Sequence, residues 1–411
     1  MIWRSYATTC PHWHRLNARF SVVLVVATLV AAGCGETRPT QSQAQLLSIR
    51  AASDARRDVA TKGVVTQLVH RAKGQYDEYK AGRRPTPPVI DVLIVSGGGD
   101  WGAFGAGFLK GWERVPKSDP LAKPEFAAVT GVSTGALIAP FAFLADNAST
   151  DIVVHLYRNP QPDWVKTRGW LYFLPSNVSL AEVPGLEREL RTAVNAETVK
   201  RIEEAGADGR VLAVSTTNID DASPRAFDMV AEARRARQTG NLDRFRDILL
   251  ASAGIPGAFP FRMIDNQMYV DGGVIGSILY GGRAAQDDTL APEWRETYPE
   301  LPIPKMRYWV IFNNQFRPPP QVTEPSWLSI ITRSMETASR SSSLTAMRHL
   351  AAMAEIARLK WHADVEVRIV SIPGAWMPPK PGSFQKETMN ELVDLGEQMG
   401  ADPKTWTDAV P

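Results

Sequence analysis

Apolar segments of strand length alternate along most of this chain with segments of helical periodicity. The apolar segments occupy residues 89–95, 126–130, 211–217, 268–270, 307–312 and 365–372. Helical patterns lie near residues 103–114, 135–146, 178–206, 241–252 and 326–360. Near-continuous apolar strands separated by helices are typical of a mainly parallel sheet that is buried on both faces. The sequence therefore predicts an α/β fold of three layers, with helices on both faces of a mainly parallel central sheet.

The N-terminal region has the pattern of a targeting segment. Three arginines precede the apolar run 20–30, and Ala-Ala-Gly then leads to Cys34. The run is too short to span a bilayer but suits the core of a signal peptide. Small residues directly before a cysteine resemble the bacterial lipobox, although Ala31 replaces its more usual leucine. We therefore predict a lipoprotein signal peptide at 1–33 and lipidation of Cys34. Ordinary secretory cleavage, with an incidental Cys34, is the alternative.

The predicted anchor implies a location and a division of the chain. Gly35 rather than aspartate follows the cysteine. In enterobacterial lipoproteins, which this position resembles, an aspartate here is the inner-membrane retention signal. We therefore predict that the protein is not retained in the inner membrane. We expect the protein in the bacterial cell envelope, held to the periplasmic side of the outer membrane. After the signal peptide we predict a lipidated tether and N-terminal helix at 34–88, with 35–46 as the flexible tether and about 47–80 as the helix, ended by the prolines of 85–88. The main domain, with C-terminal helices, is predicted at 89–411.

Charge and cysteine content exclude two classes of function. The 46 basic and 44 acidic side chains give a formal net charge of +2, and no Lys/Arg cluster stands out. We therefore expect no nucleic-acid partner. The two cysteines are Cys10 and Cys34, so the chain beyond Cys34 can form neither a disulfide nor a cysteine-based metal site.

The stretch SGGGDWG at residues 96–102 satisfies a dinucleotide fingerprint through Gly97, Gly99 and Gly102. Such a site also needs an acidic residue at the end of the next strand. The next apolar run ends in Gly131-Val132, without a carboxylate, and no Gly-Lys-Ser/Thr follows the glycines as in a P-loop. The backbone N–H groups of this loop, unobstructed by side chains, are therefore predicted to face a negative charge other than the phosphates of a nucleotide.

Two further motifs supply reactive side chains. Residues 131–135 read GVSTG and lie between an apolar run and a helical pattern, which is the context of a nucleophile elbow carrying Ser133. A tight strand-to-helix turn with a capping serine is the structural alternative. Asp271 ends an apolar run and precedes Gly272-Gly273. A carboxylate there can accept a serine proton if its basicity is raised, whereas a surface Asp-Gly turn is the common alternative.

In this order, the three motifs resemble the patatin-like phospholipase family. Residues 97–102 look like its glycine-rich oxyanion loop, 131–135 like its nucleophile elbow, and 271–273 like its dyad motif. Residues 251–260 are similar to the segment that precedes the family's aspartate, and the resemblance covers roughly 90–315. Trp101 stands where the family usually has Arg or Lys, so the electrostatic help of that side chain is absent.

The resemblance implies a three-layer patatin-like fold and a serine acyl hydrolase acting on a phospholipid or another acyl-ester lipid. Ser133 would attack the ester carbonyl and Asp271 would accept its proton. Backbone N–H groups of Gly97, Gly98 and Gly99 would form the oxyanion hole, and those of Gly98 and Gly99 are the best candidates for the hydrogen-bond donors. No metal or organic cofactor is implied. The other motif glycines are Gly102, Gly131, Gly135, Gly272 and Gly273.

Two other functions remain open at the level of sequence. An α/β-hydrolase triad would have the chain order Ser133, Asp271, then His349 or His362, but both histidines belong to a long helical pattern. A non-catalytic envelope protein could bind acyl chains or a partner on the same scaffold. The aromatic stretch 163–175 has two interpretations as well, either core packing or the wall of an acyl-chain site.

Overall fold

The computed structural model of the chain describes residues 41–169, 177–280 and 290–410. The predicted signal peptide and Cys34 lie outside these residues. The α-helices in the described ranges are α1 (Gln43–Lys80), α2 (Gly102–Trp112), α3 (Thr134–Leu144), α4 (Asn147–Arg158), α5 (Pro184–Ala193), α6 (Ala196–Ala205), α7 (Met229–Thr239), α8 (Asp243–Ser252), α9 (Leu290–Thr297), α10 (Trp327–Trp361) and α11 (Lys386–Gly400). None of these helices is both long and apolar enough to cross a membrane.

A mixed, mainly parallel sheet, with eight strands in the described ranges, forms the centre of the fold. Its strands are β1 (Val89–Val95), β2 (Ala128–Val132), β5 (Val211–Asn218), β6 (Ser223–Asp228), β7 (Arg262–Ile264), β8 (Gln267–Asp271), β9 (Lys305–Phe312) and β10 (Val365–Ser371). The order is β10-β9-β1-β2-β5-β8-β7, with β6 also paired to β5. The strands from β10 to β5 pair in parallel, whereas β6, β7 and β8 pair antiparallel. A separate ribbon joins β3 (Lys166–Thr167) to β4 (Ala181–Glu182).

Two hydrophobic clusters cover the two faces of this sheet. Alternate residues of β1 belong to different clusters, since Leu93 and Val95 join one while Val92 and Ile94 join the other. The first cluster includes residues of α2, α3, α4, α6, α7, α8 and α11, and the second includes residues of α1, α9 and α10. A strand whose successive side chains are buried on opposite faces needs helices on both sides. This arrangement confirms the predicted three-layer α/β fold.

Helix α1 begins earlier than the sequence pattern indicates. Ser42 accepts a hydrogen bond from the Gln45 N–H, and the Gln45 side chain accepts one from the Ser42 N–H, which forms a capping box. Positions 43–46, predicted as tether, are therefore helical. The buried side chains of α1 are Leu68, Val69 and Ala72, so its second half provides the attachment to the main domain.

Strand β5 brings together the ends of two strands that are distant in sequence. Val132 of β2 pairs with Ser215, and Asp271 of β8 pairs with the next residue of β5, Thr216. Strand β6 occupies the opposite edge of β5 along both stretches. Strands β2 and β8 therefore share one edge of β5, and their C-terminal ends point toward each other. The residue after β2 is Ser133 and the last residue of β8 is Asp271.

Candidate active site

Ser133 occupies a sharp turn between β2 and α3. Its backbone has φ 55° and ψ −127°, a conformation that non-glycine residues adopt at a cost of order 1–3 kcal/mol. The flanking glycines permit this turn, because a Cβ at Gly131 would overlap the carbonyl of Gly135, and a Cβ at Gly135 would overlap that of Val95. The strand, strained turn and helix together have the geometry of a nucleophile elbow.

A buried serine that the sequence motifs do not reveal holds this turn in place. The Ser133 N–H donates to Oγ of Ser252 (2.9 Å), and that hydroxyl donates to the carbonyl oxygen of Ser215 (2.6 Å). Ser252 ends α8 and has no solvent exposure. Its hydroxyl therefore links the strained turn to strand β5. The only sequence signal was its position inside the segment 251–260 that resembles the family.

The side chains of Ser133 and Asp271 are in direct contact. Oγ of Ser133 donates a hydrogen bond to Oδ2 of Asp271 at 2.7 Å. The other carboxylate oxygen, Oδ1, accepts the N–H of Gly273 at 2.7 Å, and the Asp271 N–H donates to the carbonyl of Gly254 at 2.9 Å. Both carboxylate oxygens are thus oriented by defined donors. Ser133 and Asp271 are both buried.

Burial raises the basicity of the Asp271 carboxylate. Desolvation raises its pKa to about 6, and the hydrogen bonds from Ser133 and the Gly273 N–H offset only part of this effect. A carboxylate with a pKa near 6 is ionised at neutral pH and still basic enough to accept a proton from a neighbouring hydroxyl during a reaction.

The glycine-rich loop faces Ser133 across the end of the sheet. Gly97 lies close to it, since a Cβ at Gly97 would come 3.1 Å from Cβ of Ser133. The N–H of Gly97 donates to the carbonyl of Ser277 (3.3 Å). The N–H groups of Gly98 and Gly99, in contrast, form no hydrogen bond with any other described residue. Of the three predicted oxyanion donors, two are therefore available and Gly97 is engaged.

Asn313, which sequence reasoning missed, holds the start of this loop. It follows β9 directly and has no solvent exposure. Its N–H donates to Oγ of Ser96 (2.8 Å), and its Nδ2 donates to the Ser96 carbonyl (2.9 Å). A Cβ at Gly98 would overlap the Asn313 carbonyl oxygen. Glycine at position 98 is thus required by the close approach of β9.

The remaining motif glycines lie at similar close approaches. A Cβ at Gly102 would overlap the Thr134 side chain, and a Cβ at Gly272 would overlap the backbone of Ser215. A Cβ at Gly273 would lie 3.0 Å from Oδ1 of Asp271. Each of these glycines therefore allows a loop of the site to approach a neighbouring segment.

An apolar cavity opens beside Ser133. Among the described residues, its polar lining consists of Ser133, Thr134, Tyr157 and Glu189, and the Tyr157 hydroxyl is hydrogen-bonded to Thr134. The apolar lining consists of Leu137, Phe141, Val153, Leu156, Trp164, Leu186, Leu190, Ala253, Ile255, Phe259 and Phe384, with Gly99 at one side. A cavity of this composition suits a hydrocarbon chain, because little polar surface loses water when the chain enters.

The aromatic stretch 163–175 is partly described. Trp164 is buried and lines the cavity, where it contacts the rings of Tyr157 and Phe384. Trp170, Tyr172 and Phe173 lie outside the described residues, so the hypothesis that they form an acyl-chain wall stays a prediction.

The histidines of the alternative triad form other contacts. His349 hydrogen-bonds through Nδ1 to the hydroxyl of Tyr280, and His362 caps the C-terminus of α10 with φ 52°. In the described part of the chain, no histidine hydrogen-bonds to Ser133 or Asp271. The geometry therefore favours a pair over a triad.

Across the described ranges, no group of three or more His, Cys, Asp or Glu side chains could hold a metal ion.

A comparison with protein-family models agrees with the resemblance seen in the motifs. Residues 93–279 match the family model of the patatin-like phospholipases. No curated protein matches the chain in sequence. A solved structure that matches is the crystal structure of VipD from Legionella pneumophila, with 9% sequence identity, a TM-score of 0.29, and coverage of 75% of this chain and 67% of that chain.

Proposed function

Because the chain contains a patatin-like phospholipase domain at residues 93–279, we propose that it is a serine acyl hydrolase of lipid esters with a Ser133–Asp271 dyad. One observation carries this proposal: the 2.7 Å hydrogen bond from the Ser133 hydroxyl to a buried carboxylate, beside an apolar cavity that Ser133 lines. The patatin-like domain supports a lipid as the substrate, and the contact between Ser133 and Asp271 supports ester hydrolysis with serine as the nucleophile.

In the first step, Oγ of Ser133 attacks the ester carbonyl carbon while its proton passes to Oδ2 of Asp271. The proton then moves to the departing alcohol, which leaves an acyl group on Ser133. Water attacks this acyl-enzyme in the second step and gives its proton to the same carboxylate, so that Ser133 is released with its proton restored. The raised pKa of Asp271 suits both proton transfers.

Negative charge develops on the carbonyl oxygen in both steps. We assign its stabilisation to the N–H groups of Gly98 and Gly99, which form no hydrogen bond with other described residues. Removing one such donor typically costs about 3–4 kcal/mol of barrier. The Gly97 N–H is already engaged by Ser277, and its role is to fix the loop.

Anchoring to a membrane is a separate part of the proposal and rests on the sequence around Cys34. A diacylated Cys34 would hold the enzyme at the periplasmic face of the outer membrane, next to its lipid substrates. Two acyl chains suffice for stable attachment, whereas one gives only marginal binding. The test is the Cys34→Ser variant, which should leave the membrane fraction or remain unprocessed. A mature N-terminus without lipid, shown by mass spectrometry, would refute the anchor.

The activity itself is tested by mass spectrometry of a total-lipid extract incubated with the purified protein. Wild type should release free fatty acid and the matching deacylated lipid, and Ser133→Ala should release neither. Product formation that persists in Ser133→Ala would place the reaction elsewhere. The identity of the deacylated lipid also names the substrate.

A further inference from the structure

A segment near the C-terminus closes one side of the cavity, although it lies outside the matched residues 93–279. Residues 372–385 connect β10 to α11, and two of them contact the glycine-rich loop. Nε2 of Gln315 fixes the start of this segment by donating to the carbonyls of Pro373 (2.8 Å) and Trp376 (2.7 Å).

The segment contacts the glycine-rich loop at two adjacent residues. The ring of Trp376 packs edge-on against Trp101, with centroids 5.2 Å apart and planes at 88°. Oδ2 of Asp100, a buried carboxylate, accepts the backbone N–H of Phe384 at 2.8 Å. Trp101, which replaces the basic residue usual in the resembling family, therefore has a packing partner in this chain. The two contacts tie the segment to the side of the loop that follows Gly98 and Gly99.

The backbone of Phe384 is strained, and the Asp100 contact is one feature that holds it. Phe384 has φ 58°, in the left-handed region where a bulky residue is uncommon. Such strain persists only where the surroundings fix the conformation. A carboxylate acceptor forms a strong hydrogen bond with a backbone N–H, so Asp100 can determine where the Phe384 ring points.

The ring of Phe384 bridges two walls of the cavity. Its centroid lies 6.5 Å from that of Trp164, at an interplanar angle of 73°, and 6.2 Å from that of Phe259, at 57°. All three rings line the cavity that contains Ser133. Phe384 therefore closes the space between Trp164 and Phe259 on the side of the C-terminal segment.

We propose that Phe384 limits the size of the acyl group that the cavity accepts, and that Asp100 is its positioning residue. This inference rests on the proposed lipid-ester hydrolysis. Phe384 acts by occupying volume between Trp164 and Phe259. Asp100 acts through Phe384, because its carboxylate fixes the backbone from which the ring projects.

The test compares kcat/KM for p-nitrophenyl butyrate and p-nitrophenyl palmitate. In Phe384→Ala the palmitate-to-butyrate ratio should rise roughly tenfold, the scale that a change of one or two methylenes produces in an apolar pocket. Alanine at 384 has the same positive-φ strain as phenylalanine, so the variant removes the ring and its contacts without adding backbone strain. An unchanged ratio, or a shift toward butyrate, would overturn the inference.

Two variants of Asp100 separate positioning from general loosening of the site. Asp100→Asn retains an oxygen that accepts the Phe384 N–H and should keep the wild-type ratio. Asp100→Leu, of similar size, removes the acceptor and should reproduce the rise seen in Phe384→Ala. Equal ratios in the two variants would contradict the positioning role of Asp100.

A binding measurement keeps this inference distinct from the hydrolase proposal. Cis-parinaric acid, a fluorescent long-chain fatty acid, is titrated into Ser133→Ala with and without Phe384→Ala. The double variant should bind it roughly tenfold more tightly, and equal affinities would overturn the inference. If wild type hydrolyses neither ester, the hydrolase proposal fails, and the titration alone decides whether Phe384 limits the cavity.

Discussion

Ser133 and Asp271 are 138 positions apart in the chain, yet the Ser133 hydroxyl donates a 2.7 Å hydrogen bond to the Asp271 carboxylate. Their contact results from the pairing of strand β5, whose consecutive residues Ser215 and Thr216 face the last residues of β2 and β8. The two side chains are therefore positioned by regular backbone hydrogen bonds, which makes the pair rigid.

Activity should depend on pH through the carboxylate of Asp271. Burial raises its pKa to about 6, and only the ionised form can accept the Ser133 proton. We expect kcat/KM to rise with pH through about 6 and to fall about tenfold per unit below that value. A pH profile with a water-soluble ester measures this midpoint. A midpoint near 4 would mean that the carboxylate is not desolvated in the working enzyme.

The same carboxylate should make stability pH-dependent. Its pKa is about 6 in the folded protein against an ordinary value of 3.8, so the folded state holds the proton more tightly than the unfolded state. The resulting stability is present below about pH 4 and is lost as pH rises through about 6. Asp271→Asn has no such titration. Its free energy of unfolding relative to wild type should therefore increase by about 2 kcal/mol between pH 4 and pH 8.

Denaturant unfolding of the two proteins at both pH values provides this measurement. His349→Ala, which leaves the carboxylate in place, serves as the control and should follow wild type. A difference between Asp271→Asn and wild type that does not change with pH would contradict the assigned burial.

Ser252 should matter for activity although it does not contact substrate in the proposed mechanism. Ser252→Ala leaves the N–H of Ser133 and the carbonyl of Ser215 without their shared partner. Buried groups left unpaired in this way cost about 1–3 kcal/mol each. We expect a lower Tm and a fall in kcat of roughly 10–100-fold, because the elbow is displaced. Ser252→Cys, which keeps a weak donor and acceptor, should lose less, and equal losses would exclude the hydrogen-bond role.

Two glycines of the glycine-rich loop should respond differently to the same substitution. A Cβ at Gly98 would overlap the Asn313 carbonyl oxygen, whereas a Cβ at Gly99 would have no atom within 4 Å. Gly98→Ala should therefore displace the loop and remove about 3–4 kcal/mol of transition-state stabilisation. Gly99→Ala meets only the strain of φ 60°, worth about 1 kcal/mol, and should stay active.

Esterase rates and thermal unfolding of both variants distinguish these effects. Equal loss of activity in the two variants, with equal changes in Tm, would mean that space around Gly98 does not determine the position of the loop.

The sequence predicted the elements that carry the site more completely than those that surround it. Strands β1, β2, β5, β9 and β10 were identified because buried parallel strands are continuous apolar runs, and β8 was identified from the short apolar run 268–270. Strands β6 and β7, which pair antiparallel, were not predicted, because Ser223–Asp228 is mixed in polarity and Arg262–Ile264 has only three residues. Helices α4, α7, α9 and α11 were not predicted either, and the helical pattern 178–206 proved to be two helices separated at Val194-Asn195.

Residues that act only through tertiary contacts could not be found from the sequence. Ser252 and Asn313 are recognisable only once the folded chain brings them against Ser133 and Ser96. The contact between Asp100 and Phe384 joins positions 284 residues apart, and no local pattern marks it. The motifs around Ser133 and Asp271 were visible because a strained turn and a close approach impose glycines at fixed local spacing.

The most direct test of the proposed dyad is the hydrolysis of a p-nitrophenyl acyl ester by matched variants. Ser133→Ala and Asp271→Asn should each lower kcat/KM by at least about 10²–10⁴-fold while keeping the fold. His349→Ala and His362→Ala should retain most of the activity, because neither side chain contacts the pair. Activity that survives Ser133→Ala, or that is lost on removal of either histidine, would contradict the Ser133–Asp271 mechanism.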